Sequence, residues 1–209
     1  MRSNPNLLLS VFPRRWSASF FAALVMWLAV GEQIAAQPPY ANERTPEGWA
    51  WARIKQGKEA NLNNRCKTPA LDPRAEKEAR WTDSCRRISA TFLVDVLTHE
   101  PWREQVPFFG VKIIGGRIEG DIDLHSAKLN RVLSITQSRI ENNISLQAAG
   151  TDSVVEFSRS RVAGEVNADQ LRGELSLSLA GSEFKQAVSL KYAKIDVTST
   201  WTAPPSTGS

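Results

Sequence analysis

The chain has 209 residues, 42% hydrophobic and 23% charged, with a formal net charge of +4; that is room for one domain, or one plus a smaller one, in a composition that folds. Residues 1–36 carry three Arg and one Glu, residues 37–110 twelve Lys/Arg against ten Asp/Glu, and residues 111–209 eleven of each. A neutral C-terminal half supplies little of the phosphate neutralisation that nucleic-acid binding needs, so nucleic acid is not an expected partner.

Residues 1–36 read as a secretory signal peptide. Arg2, Arg14 and Arg15 precede an apolar run, Phe20 to Val30 with its flanks, and small residues follow as far as "IAA". Basic, then apolar, then small is the order of an export signal, with Ala36 as the cleavage position and Ile34 at minus three. The run is shorter than the roughly 20 apolar residues a bilayer asks for. The alternative is an uncleaved membrane anchor over residues 17–31. Arg14–Arg15 also suggests a twin-arginine route, although "RRWSAS" lacks the usual context. Both readings export the chain, as a periplasmic or secreted protein.

Export decides how Cys66 and Cys85, the only two cysteines, are read. In an oxidising compartment an isolated pair is most simply a disulfide, and in a reduced one it would be two free thiols. Closing a loop of about 20 residues would contribute roughly 3 kcal/mol. Two cysteines without a nearby histidine are too few soft ligands for zinc, and neither a metal nor a cofactor is expected.

Residues 37–110 predict a small α-helical cap region behind a proline-rich linker, "PPYANERTP". In "EGWAWARIKQGKEANLN" a helix would place Trp49, Ala52 and Ile54 on one face before Gly57 interrupts. A second segment opens at Pro73 and forms one helix or two, broken near Thr82–Asp83 where Asp83 could cap a second start. Ile88, Phe92, Leu93, Val96 and Leu97 make an apolar face at helical spacing. "HEPWREQVPFFG" is a loop between Pro101 and Pro107, where Trp102, Phe108 and Phe109 offer bulky contacts. Trp49, Trp51, Trp81 and Trp102 invite a sugar-stacking reading, but burying aromatic area against the next domain is the simpler use. His99 beside Glu100 is a loop histidine, since no nucleophile stands in a recognisable setting.

Residues 111–197 repeat every eleven positions. Units start at Ile118, Leu129, Ile140, Thr151, Val162, Gly173, Phe184 and Ile195. Apolar doublets such as Ile122/Leu124, Leu133/Ile135 and Ile144/Leu146 follow, each around one polar residue. Two positions before each start the side chain is small, as at Gly116, Ala127, Ser138, Ala149, Ser160, Ser182 and Ala193, with Leu171 the exception. Alternation inside each doublet means a short strand, and the small residue marks an inward turn. Such strands must stack on copies of themselves, about 4.8 Å apart, to satisfy their backbones and bury their inner faces. Odd starts are stronger than even ones, so the true coil is two units. The fold class predicted is mainly β: a short parallel β-helix of about four 22-residue coils, preceded by the helical cap. A leucine-rich repeat of similar length would need different apolar spacings, an Asn and a helical back half.

The small-x-apolar elements "SAKL", "QSRI", "SRSRV", "GSEF" and "YAKI", and the entry "GVKIIGGRIEGDIDL" after an apolar helix, resemble the pentapeptide-repeat-like β-solenoids of bacterial envelope and uncharacterised proteins. The resemblance covers roughly residues 88–197. It implies a scaffold or binding role without a shared active site. The DNA-mimicking role of some pentapeptide proteins would need a strongly acidic surface and a cytoplasmic address, which this chain lacks.

With the doublets inward, Arg117, Arg139 and Arg161 stack in one outer column, and Lys128, Arg172 and Lys194 are partial counterparts on another face. Glu119 and Glu141 stack two residues on. The arginine column is the candidate ligand-binding strip for an anionic glycan, lipid or acidic protein face, and the alternative is a solvated face of offsetting charges. Glu119, Asp121 and Asp123 form an acidic face that could bind calcium or cleave polysaccharide, but the next coil has Glu141, Asn143 and Ser145, and no catalytic residue is assigned. After Val197 the pattern fails, and residues 198–209 are a polar tail. Trp201 could cover the open solenoid end, or a partner could pair with it. The expectation is a non-catalytic exported scaffold or protein-interaction module whose partner is a protein or envelope component. Anionic glycan or lipid recognition is the runner-up, and a polysaccharide-active enzyme or a self-assembling solenoid comes third. Membrane association through the N-terminal segment is an added possibility.

Overall fold

A computed structural model describes residues 40–75, 79–173 and 177–195. The predicted signal or anchor (residues 1–36 and 17–31), part of the helix expected after Pro73, and the tail with Ser199 and Trp201 lie outside the described residues.

From Val111 onward the chain winds as a four-sided parallel solenoid. One face stacks Val111–Ile114, Leu133–Thr136, Val155–Glu156 and Leu177–Ser178, and the next stacks Arg117–Glu119, Arg139–Ile140, Arg161–Val162 and Glu183–Phe184. The third face holds Ile122–Asp123, Ile144–Ser145, Val166–Asn167 and Val188–Ser189. The fourth holds Lys128–Leu129, Gly150–Thr151, Arg172–Gly173 and Lys194–Ile195. Each strand pairs in parallel with the one a full coil ahead, at a constant step of 22 residues: Leu133 with Val155, Ile122 with Ile144, Lys128 with Gly150. The eleven-residue period is half a coil, so Ile118 and Leu129 lie on opposite faces and both point inward. Ile113, Ile135 and Phe157 form one fully buried inner column, and Ile122, Ile144 and Val166 another.

The corners explain the small residues. Gly115, Ser126, Gln137, Ala148, Arg159, Gln170, Gly181 and Tyr192, eleven apart, all adopt a left-handed conformation, with φ from +49° to +68°. The small residue follows each one. Six of the eight are not glycine, so the corner was invisible as a glycine pattern, although each left-handed residue costs of order 1 kcal/mol. Inter-coil hydrogen bonding continues through the bend, as in Ser126 N–H to the Gln147 carbonyl at 2.9 Å. The large exception, Leu171, is fully buried just ahead of the inner position occupied by Gly173.

The cap is not a separate layer. Ala60–Asn61 pairs with Ile113–Ile114, and Arg87–Ser89 pairs with Arg117–Glu119, so two of the four sheets begin inside the region read as a helical cap. Helix α1, Pro46–Lys55, is capped by Thr45, whose Oγ1 accepts the Gly48 N–H at 3.0 Å. It buries Ala50, Trp51 and Ile54, which corrects the expected Trp49–Ala52–Ile54 face. Trp49 is instead half-buried at the edge of the core, within 6.0 Å of the Arg53 and Arg65 guanidiniums. Helix α2, Leu62–Cys66, is joined by the Cys66–Cys85 disulfide to the turn Ser84–Arg86, with Cα atoms 5.6 Å apart. The expected helix over residues 79–89 gives way to two 3-10 turns and a strand. Pairing with the first coil outweighs helix propensity there. Helix α3, Ala90–Thr98, is capped by Ser89 rather than Asp83, whose side chain makes no capping bond. The expected loop after His99 contains a short helix, α4, Trp102–Gln105.

One hydrophobic cluster runs from Tyr40, Trp51 and Phe92 through the coils to Leu179, and it thins in the last coil, where Phe184, Val188 and Ile195 are only partly buried. Among the described residues no helix is long and apolar enough to cross a membrane.

Candidate functional site

The arginine column exists. Register stacks Arg87, Arg117, Arg139 and Arg161 on the second face, with Glu183 after them. Strands about 4.8 Å apart would bring four like charges into repulsion. Acidic neighbours and the cap remove most of it. Glu119 lies 3.3 Å from the Arg87 Nε and 3.3 Å from the Arg117 Nη1, and Glu141 accepts from the Arg117 Nε at 2.9 Å. Arg139 donates from Nε to the Pro73 carbonyl at 2.8 Å and from Nη2 to the Ala75 carbonyl at 2.5 Å, while its guanidinium lies 5.0 Å from the Trp81 ring. Trp81 is buried, with Arg86 5.4 Å from its ring, and its indole N–H reaches the Asp72 carbonyl at 3.1 Å. Beside it, the Arg74 N–H and guanidinium, with Arg139 beyond, hold the Asp72 carboxyl below its usual range. The column therefore fastens Pro73, Ala75 and Trp81, the strap, to the solenoid, and Arg161 stands half-buried at its far end.

The acidic face is also engaged within the fold. Asp121 accepts the Asn143 N–H at 3.0 Å, Asn143 accepts the Glu165 N–H at 2.9 Å, and Asn142 accepts the Gly120 N–H at 3.1 Å. Asp123 takes the His125 N–H at 3.0 Å. Asp121, Asn142 and Asn143 thus form a ladder between coils. Among the described residues no group of three or more His, Cys, Asp or Glu is placed to hold a metal ion.

All four tryptophans are buried, Trp49 and Trp102 only partly. Trp51 and Trp81 are buried, as expected, and Trp102 packs against the core 5.9 Å from Tyr40. His99 does not pair with Glu100: its Nδ1 lies 3.1 Å from Asp95, and Glu100 is bonded to Arg103. On the fourth face Lys128, Gly150, Arg172 and Lys194 stack in register. The side-chain gap at Gly150 belongs to an open groove of about 410 Å³ floored by Ala127, Ala149 and Gly150, with Asp152 4.0 Å from Lys128 at its rim.

Sequence reasoning missed the serine ladder. The Gly116 N–H donates to the Ser138 Oγ at 3.1 Å, the Ser138 N–H to the Ser160 Oγ at 3.2 Å, and the Ser160 N–H to the Ser182 Oγ at 2.9 Å. Each hydroxyl donates onward to a carbonyl: Ser138 to Thr136, Ser160 to Ser158, Ser182 to Phe157. The other corners need no hydroxyl, because the N–H groups of Ala127, Ala149, Leu171 and Ala193 turn back to carbonyls three residues earlier. Serine at every second corner was the available signal, and it was read only as small size.

Compared with known protein families, curated proteins and solved structures, this chain matches none.

Proposed function

We propose that this protein is an exported, non-catalytic envelope scaffold, a rigid solenoid that presents flat faces to a protein partner. The observation that carries the reading is the strict register of the outer columns. Outer side chains recur at one strand spacing over successive coils, so each face offers a row of side chains at fixed intervals, which suits an extended partner better than a small substrate. The Cys66–Cys85 disulfide supports export, since such bonds persist in oxidising compartments. The four-sided coil agrees with the resemblance of the repeat to pentapeptide-repeat-like envelope solenoids.

Recognition of an anionic glycan or lipid by Arg117, Arg139 and Arg161 ranks second, because Arg117 and Arg139 already hold Glu119, Glu141 and the strap. The test has two arms. A reporter fused after residue 36 must be exported. The mature protein, cross-linked in its own envelope fraction, must then yield one stoichiometric partner, lost when outer charges of the third and fourth faces are reversed while the circular dichroism stays the same. Binding of acidic glycans abolished by reversing Arg161, with no protein partner, would replace the scaffold reading with the second one.

A further inference from the structure

Phe108 and Phe109 stand in water, 83% and 59% exposed, with their rings edge-to-face at 6.1 Å. Two adjacent large apolar side chains on a monomer's surface call for a reason. Their loop holds them out. Ahead of them Val106 is buried and its carbonyl accepts from the Arg131 Nε at 3.2 Å. Behind them the Gly110 N–H closes onto the Pro107 carbonyl at 2.9 Å, and the Val111 N–H is held by the Val132 carbonyl at 2.8 Å. Gly110 sits at φ +74°, where an added Cβ would lie 2.1 Å from the Val132 oxygen. A loop pinned at both ends displays its tip.

The segments next to the tip carry three cations against two acids. Phe109 packs over Gly57, where an added Cβ would lie 3.1 Å from its ring, and this brings the exposed Lys58 alongside. Lys112 follows the loop, Arg131 holds its base, and Glu59 and Glu104 are the acids flanking these segments in sequence.

We propose that this tip is a membrane-docking element: Phe108 and Phe109 enter the interfacial layer of an anionic bilayer while Lys58, Lys112 and Arg131 meet its headgroups. Aromatic rings with cations alongside match the chemistry of that layer, and each cation adds attraction to anionic lipid. The proposal rests on the export reading only for delivery to a membrane, and the vesicle experiment tests docking whether or not the reporter is exported.

The experiment is hydroxyl-radical footprinting of the full chain, read by mass spectrometry, without lipid and with vesicles of equal parts phosphatidylethanolamine and phosphatidylglycerol. Oxidation of Phe108 and Phe109 is expected to fall several-fold on vesicles, while Tyr192, 83% exposed in the last coil, keeps its reactivity. A Phe108→Ser, Phe109→Ser chain should melt at the same temperature and lose the lipid-dependent hydrogen-exchange protection of residues 106–110. Phe108 and Phe109 staying as reactive as Tyr192 in the presence of vesicles overturns the proposal. Protection that needs no lipid and grows with protein concentration also overturns it, and assigns the tip to a second copy.

Discussion

Ser160 shows how much one corner side chain supports. Its Oγ accepts the Ser138 N–H at 3.2 Å and donates to the Ser158 carbonyl at 3.0 Å, in a fully buried position. Alanine fits the space but leaves the Ser138 N–H without its acceptor, and an unsatisfied buried donor costs about 1–3 kcal/mol. Ser160→Ala is therefore expected to lower unfolding free energy by that amount in urea titration; a change near zero would mean the ladder is incidental. Asp169 makes a pH-dependent counterpart on the outside. The Ser189 hydroxyl at 2.5 Å, then the Lys191 N–H at 2.8 Å, hold its carboxyl below the usual carboxylate range. A lowered folded value favours the fold above the ordinary carboxylate pKa, and that contribution disappears as pH falls through the lowered value. Ser189→Ala should move the Asp169 titration upward, as followed by NMR of its side chain.

Elements of two residues cannot stand alone, and the cap shows how they are started. Arg87–Ser89 and Ala60–Asn61 give the first coil a template on two faces, and the Cys66–Cys85 bond ties the segments bearing them together. Buried Arg86 sits beside that bond, donating from Nη1 to Asn63 at 2.7 Å and to the Gly115 carbonyl at 2.9 Å, so cap and first corner share one polar centre. Reduction of the disulfide should lower stability by about 3 kcal/mol, the loop-closure value. Parallel urea titrations with and without reductant check this, and identical midpoints would show the cap holding its shape unaided. Local pattern failed at this scale. Ile88 was counted on a helical face, but it lies in the strand that pairs with Ile118. Periodicity cannot tell a strand from a helix over so few residues.

As a whole molecule the solenoid is close to one-dimensional, each coil touching only its neighbours. Protection should follow position. Hydrogen exchange is expected to be slowest in the coils spanning residues 133–173, whose inner columns are closed above and below, and to rise through residues 177–195, where Phe184, Val188 and Ile195 are only partly buried. Equal protection throughout would indicate a single all-or-none unit. The sequence by itself determined the winding: a 22-residue step, inner doublets and outer columns, because inward apolar residues must recur at the coil length whatever else the chain does. It also placed Arg117, Arg139 and Arg161 in one column, while Cys66 and Cys85 stayed open between a disulfide and two free thiols until the structure joined them. Only the tertiary structure decided what the columns do. Arg139 reaches the carbonyls of Pro73 and Ala75, more than sixty residues away, and Trp81 completes that contact. The left-handed corners, the serine ladder and the exposure of Phe108 and Phe109 were settled there too. Hydrogen-bond partners and solvent access depend on which distant segment lies alongside, and a repeat in one dimension does not encode that.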